Sequence, residues 1–337
     1  MPFLSVIVPV HNRAGTLEKC LSAIRQSDFK DYELLVIDDA STDQTASIAA
    51  KFADKVISCQ RHLGLAGVLL KGLQSSSGQI IVNIDSDVVI KETHLSYIVN
   101  FLSQNPRIDA FTGILSKDNP HKNFLSQYKN LYMHYIYQLQ PREVTFLYGS
   151  IFGLRKEIIG LWGNTVKFWA VDTEFGQRIA LSGKKIALLK ELEVRHFKKH
   201  NIRTFLINDF MMPFSWAHLF FHYKGWLQLG RRNTGFAHAG KSLLASVVLA
   251  PAVLGLFIAR FLIAVPESLF WAFAILWMGL NLRFLIFLFL NKGVIFGLLA
   301  VPTVFLDNLA MASGILCGTI AEAIFSLTAK TAETKME

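Results

Sequence analysis

The stretch SVIVPVHNRAGTLEKCLSAIRQSDFKDYELLVIDDASTD, residues 5–43, decides the fold. It opens on a β-branched apolar run without alternation, the pattern of a strand covered on both faces, read here over residues 3–10. "HNRAG" is a loop. Leu17, Cys20, Leu21 and Ile24 recur at helical spacing, so a helix is expected over 16–27 with Thr16 as its N-cap. "YELLVIDD" (32–39) is a second buried strand. The alternation continues outward: helix 41–53, strand 55–59, helix 64–78 ending near Gly78, strand 79–85. Strands alternating with helices at this spacing give βαβ units and a parallel sheet. Functional loops of such sheets lie at the carboxyl ends of the strands. "HNR", "DDAST" and "DSD" all fall there, so three polar clusters should converge on one edge.

The third cluster lies in IIVNIDSDVVI, residues 80–90. A spacing of two puts the carboxylates of Asp85 and Asp87 on one side of an extended chain. Like charges that close repel, and something must compensate them. A hard divalent cation, Mg²⁺ or Mn²⁺, takes such oxygens together with those of a phosphate. Further on, helices are expected over 93–106 and over the Tyr-rich 123–140, and a strand over 183–189.

The C-terminal third has a different character. The chain of 337 residues is 52% hydrophobic, with mean hydropathy +0.37. Residues 242–259 carry no charge, 268–291 only Arg283, and 293–321 only Asp307. A span needs roughly 20 apolar residues, so three transmembrane helices are expected. Eight Lys/Arg against the single acid Asp209 lie between Arg195 and Lys241. Basic residues beside apolar spans point to anionic lipid head groups rather than nucleic acid, and the same bias places the preceding domain in the cytoplasm. Trp216, Tyr223 and Trp226 suit a helix lying in the interface. Cys20, Cys59 and Cys317 are scattered and form no disulfide framework or zinc site, which fits a reducing compartment. The N-terminus reads as a strand, not a signal peptide.

The ordered set Pro-x-His-Asn, Asp-Asp-x-Ser-Thr-Asp, Asp-x-Asp and Asp-x-Glu, over roughly residues 3–200, resembles glycosyltransferase family 2 with the GT-A fold. That resemblance implies an α/β, Rossmann-like, mostly parallel catalytic domain over 1–195. Interfacial helices would follow over 196–241, a membrane region over 242–325 and a polar tail over 326–337. It implies a donor site of Pro9, Val10, His11, Asn12, Asp39, Lys71, Asp85 and Ser86, taking a UDP- or GDP-sugar. Asp39 would read the base. Asp87, Asp85 and His196 would hold Mg²⁺ or Mn²⁺. Asp172 in "AVDTE" would be the general base of an inverting transfer. Gly149, Ser150, Trp169 and Glu174 would meet the acceptor.

This chain departs from many relatives at two places. Val68, Leu69 and Leu70 stand where an Ala-Arg-Asn segment is common, and Val171 replaces a Glu. Glu174 and Arg178, four apart, also read as a helical ion pair. The expected function is transfer of a sugar to a lipid or lipid-linked acceptor, polyprenyl phosphate or glycolipid, at the cytoplasmic face of the inner membrane, with a homo-oligomer allowed. The alternatives are a polysaccharide-extending transferase and a non-catalytic scaffold.

Overall fold

The computed structural model describes residues 1–163, 170–223 and 240–334, with side chains to 325. Trp169, Trp226, Arg231 and Arg232 lie outside the described residues. The chain divides into two compact units, Met1–Lys199 and His200–Glu337.

The first unit is built on one mixed sheet in the order β3-β2-β1-β4-β8-β6-β9-β5. Its first half is parallel: β1 (Leu4–Val10) lies between β2 (Tyr32–Asp38) and β4 (Ile80–Ile84), with β3 (Lys55–Ser58) outside β2. β1 is buried along its whole length, as an unbroken apolar run requires. Pro9 is tolerated in this central strand because pairing with β4 stops at Ile7↔Asn83. Helices α1 (Ala14–Arg25), α2 (Thr45–Phe52) and α3 (Gly64–Ser75) connect these strands. The buried face of α1 is Leu17, Cys20, Leu21 and Ile24.

The second half of the sheet is mixed. β8 (Ile151–Arg155) runs antiparallel to both β4 and β6 (Ala110–Leu115). β9 (Ile186–His196) runs parallel to β6, and its far end pairs antiparallel with β5 (Val88–Val89). The short strand β7 (Glu143–Val144) pairs with β9 near its start. Helices α4 (His94–Gln104), α5 (Phe124–Leu139) and α6 (Val171–Leu181) complete the unit.

Two local expectations are corrected. Thr16 is not the cap of α1: the helix begins at Ala14, and its free amides are satisfied from a distance. Arg13 N donates to Thr45 Oγ1 at 2.9 Å and Ala14 N to Asp43 Oδ2 at 3.2 Å. Gly78 is not the stop of α3, which ends at Ser75. A Cβ there would lie 2.5 Å from Ser5 N, so Gly78 is small because β1 passes against it.

In the second unit, α7 (Ile202–His222) starts at a capping box between Asn201 and Thr204. It lies parallel along part of α10 (Val294–Thr334): Cβ atoms on Gly314 and Gly318 would sit 2.2 Å from Phe210 O and 2.3 Å from Phe214 O. His218 Nε2 meets Glu322 Oε2 at 3.0 Å one turn further on. So the aromatic helix expected to lie in the interface is also packed lengthwise on a hydrophobic helix, through glycines that let the backbones touch.

By length and composition, three helices among the described residues are able to cross a membrane. They are α8 (Lys241–Ala259), α9 (Glu267–Lys292) and the Val294–Phe325 part of α10, with mean hydropathies of 2.4, 2.1 and 1.9. Asp307, costly in lipid, is only 1% exposed, because it faces the helices and not the outside. Its neighbour Asn308 donates to Ser246 Oγ of α8 at 3.3 Å.

Candidate active site

The site forms where β4 ends. The chain turns at Asp85, closed by Val88 N donating to Asp85 O at 3.0 Å. β5 then pairs with the end of β9, placing Val88 opposite His196. That register brings His196 Nε2 to 3.1 Å from Asp87 Oδ1 across 109 residues of chain. A carboxylate only accepts, so Nε2 carries the hydrogen and donates. His196 Nε2 thus holds Asp87 in place. Phe197 N donates to Asp87 O at 2.7 Å and pins the same corner.

The antiparallel pairing of β4 with β8 sets the other wall. Asn83 Nδ2 donates to Gly149 O at 2.9 Å and Asp85 N to Ser150 O at 3.2 Å. Gly149 N donates to Asp172 Oδ2 at 2.6 Å, and Thr173 N to Asp172 Oδ1 at 2.8 Å. A Cβ on Gly149 would lie 3.2 Å from Asp172 Oδ2 and 3.8 Å from Asp85 Oδ2, so these two oxygens are no more than about 7 Å apart. Glycine at 149 keeps the gap between the two carboxylates open.

The charges are unequal. Burial, then the charges of Asp87 and Asp172, push the Asp85 carboxyl well above the usual range. Burial would raise Asp87 too, but the His196 imidazole, with Arg13 and Lys198, brings it down to about 2. Burial also raises Asp172, against its two backbone hydrogen bonds and Lys198. Among the described residues no group of three His, Cys, Asp or Glu side chains could hold a metal unaided. This suits Mg²⁺ or Mn²⁺, which take one or two carboxylates and complete their shell with phosphate oxygens and water. The excess negative charge around Asp85 is what such a cation would relieve.

The donor-side residues stand at the ends of β1 and β2. Pro9 and Val10 close β1, and Asp39 N donates to Val10 O at 2.8 Å. His11 Nδ1 bonds to Asp39 O at 2.7 Å, and its Nε2 faces Asn12 Nδ2 at 3.1 Å. Asn12, at φ 51°, accepts from Thr42 N at 2.8 Å, tying the first two loops together. Asp39 is buried and accepts from Leu63 N, Gly64 N and His62 Nδ1 at 2.6, 3.0 and 2.8 Å.

Residues 5–161 match glycosyl transferase family 2. The chain carries a glycosyl transferase family 2 domain. A poly-beta-1,6-N-acetyl-D-glucosamine synthase of Staphylococcus epidermidis is 26% identical over 114 residues, 33% of this chain and 28% of that protein. The GalNAc(5)-diNAcBac-PP-undecaprenol beta-1,3-glucosyltransferase of Campylobacter jejuni is 39% identical over 93 residues, 26% of this chain and 30% of that one. The matched stretch therefore spans less than a third of either relative. In three dimensions the chain resembles the mannosyltransferase PcManGT of Pyrobaculum calidifontis, solved with GDP-Man and Mn²⁺, at a TM-score of 0.64 and 19% identity. That likeness covers 94% of this chain and 87% of the other. The GT-A fold is shown by these matches.

The structure brings together Asp85, Asp87, Gly149 and Ser150, inside the family 2 match, with Asp172 and His196, which lie beyond it. Other expected site residues are turned elsewhere. Glu174 is 1% exposed and paired with Arg178, Nε to Oε1 and Nη2 to Oε2 both at 3.0 Å, which is the helical ion pair rather than a group presented to an acceptor. Lys71 Nζ points to Cys59 Sγ at 3.8 Å. Ser86 is 7% exposed inside the Asp85 turn. Val68 and Leu69, which stand in place of a polar segment, are buried in the α3 face that packs on the sheet.

Sequence reading missed Lys198, Tyr148 and His62. The Lys198 charge bears on Asp85, Asp87 and Asp172 together. Its carbonyl is held by Asn119 Nδ2 at 3.4 Å. The one available signal was its position two residues beyond His196, on the same side of an extended chain. Tyr148 precedes Gly149, and its hydroxyl pKa is raised by burial and by the nearby Asp85 and Asp172. His62 gave no local signal.

Proposed function

We infer that the protein is a membrane-bound inverting glycosyltransferase that moves a sugar from a nucleotide sugar to a lipid or lipid-linked acceptor. The convergence of Asp85, Asp87 and Asp172 around Gly149, at the carboxyl edge of β4, carries this reading. Asp87, steered by His196, and Asp85 are the residues that would hold a divalent cation. Bound there, the cation supplies charge neutralisation for the diphosphate. Arg13 and Lys198 offer the remaining positive charge, while Lys71 of α3 points to Cys59.

Asp172 takes the acceptor proton. Its two backbone hydrogen bonds fix its orientation, and burial makes it a stronger base than a free carboxylate. The acceptor oxygen attacks C1 as the C1–oxygen bond to the diphosphate breaks and its electron pair leaves with the nucleotide. The proton passes to an Asp172 oxygen. One base on one face means one displacement, and hence inversion.

A lipid acceptor is favoured by the three apolar helices and by the Campylobacter relative, whose name places its substrate on undecaprenol. The Staphylococcus synthase favours polysaccharide extension as the second reading. The test is a screen of radiolabelled nucleotide sugars with native membranes, run with Mn²⁺ or with excess EDTA. Label should enter the lipid fraction only with metal, and Asp87→Asn should abolish most of it while the protein stays folded. Full turnover in EDTA would overturn the cation role, and label confined to polymer would select the second reading.

A further inference from the structure

The Asp39 carboxylate has four lone-pair directions, and three are filled. Oδ1 accepts from Leu63 N at 2.6 Å. Oδ2 accepts from Gly64 N at 3.0 Å and from His62 Nδ1 at 2.8 Å, where the nitrogen must carry the hydrogen because a carboxylate cannot donate. The two backbone donors follow from the turn at Gly64, whose φ of +73° favours glycine. They are part of the fold. The His62 bond is not: its side chain is 62% exposed, against 4% for that of Asp39. His62 is also held by its ring, 4.5 Å from that of His11 and tilted 47° to it. The His11 ring is in turn fixed by Asp39 O and Asn12 Nδ2. An exposed residue is thus kept on the second oxygen of a buried carboxylate.

We propose that His62 is a specificity-determining residue, leaving Asp39 one free acceptor position so that the donor site takes a base with a single imide N–H, a uracil, in preference to guanine. This rests on the donor-site reading of Asp39. Uracil presents one N–H between two carbonyls, which matches one lone pair. Guanine presents adjacent N1–H and N2–H donors, which need both oxygens. It is accepted only if His62 swings out and gives up its bond to Asp39 and its contact with His11. A hydrogen bond to a charged group is strong enough that losing one weakens binding about tenfold or more. The prediction differs from the base in the PcManGT complex, which holds GDP-Man.

The test is calorimetry of the full chain in detergent with Mn²⁺, titrating UDP and GDP. The wild type should bind UDP at least about tenfold more tightly than GDP. His62→Ala opens the second oxygen, so GDP should gain and the ratio should fall towards one. His62→Asn puts an amide N–H near the place of Nδ1 and should restore the preference. GDP binding as well as UDP in the wild type, or the same ratio in all three proteins, would overturn the role of His62 while leaving the donor site standing. If neither nucleotide binds, the donor-site reading itself falls, and this inference with it.

Discussion

Gly176→Ala should cripple turnover without touching the donor site. Gly176 lies in α6, four residues after Asp172 and so on the same face of the helix. A Cβ at 176 would stand 2.5 Å from Phe146 Cα, 2.6 Å from Leu147 N and 2.7 Å from Phe146 C. All three atoms are backbone, so no side chain can rotate away. Ordinary van der Waals contact begins at 3.4 Å, so α6 must lift by about 0.9 Å. Strain of this kind costs about 1–3 kcal/mol. The lift also stretches the Gly149 N–Asp172 Oδ2 bond from 2.6 Å to about 3.5 Å, where it is lost. A misplacement of about 1 Å in a catalytic group is worth roughly a hundredfold in rate. The expected result is a fall in kcat of about that size, a lower Tm and unchanged nucleotide affinity by calorimetry. Gly160→Ala, with nothing within 4 Å of its Cβ, is the control and should alter none of the three. Near-normal kcat in a folded Gly176→Ala protein would refute the claim that the α6 contact sets the base.

Asp172→Asn keeps shape but loses basicity, so kcat should fall by ~10²–10⁴-fold with donor affinity unchanged; more than about a tenth of the rate remaining would mean that Asp172 orients an acceptor already ionised. Lys198→Met should weaken nucleoside diphosphate binding by about tenfold and leave the free nucleoside unaffected, and equal losses for both would remove Lys198 from the diphosphate. His94 supplies a pH dependence: it is 3% exposed, its Nδ1 accepts from Lys91 N at 3.2 Å, and its buried Nε2 has no partner among the described residues. Burial, with Lys91, lowers its pKa from 6.5 to about 4. The folded state holds it neutral, so its contribution is complete above pH 6.5 and is lost as pH falls through 6.5 to about 4, by about 3 kcal/mol in all. The Tm of His94→Leu should fall less steeply over that range than the wild type's, and parallel curves would show that His94 is not the group that titrates.

What the sequence determined by itself is what short-range pattern controls. Short, β-branched apolar runs bounded by polar loops read as strands buried on both faces, so β1, β2 and β4 were legible to within a residue or two. The 3.6-residue period named the four buried residues of α1. The alternation of these elements put Asp39, Asp85 and Asp87 at strand carboxyl ends. Tertiary structure decided everything that depended on register between distant strands. The acceptors for the amides that start α1 come from Asp43 and Thr45, which is why the local cap signal at Thr16 misled. β5 has two residues, too few to predict, yet its pairing with β9 sets His196 on Asp87 and leads to Lys198. Gly149 meets Asp172 only because β8 returns antiparallel to β4 and α6 packs on the segment before it. His62 reaches Asp39 through a glycine turn that follows a loop. A strand's periodicity says which residues are buried, but a slip of one residue in pairing turns every side chain to the other face. Register is settled by the packing of the whole sheet, and the reacting groups are placed by it.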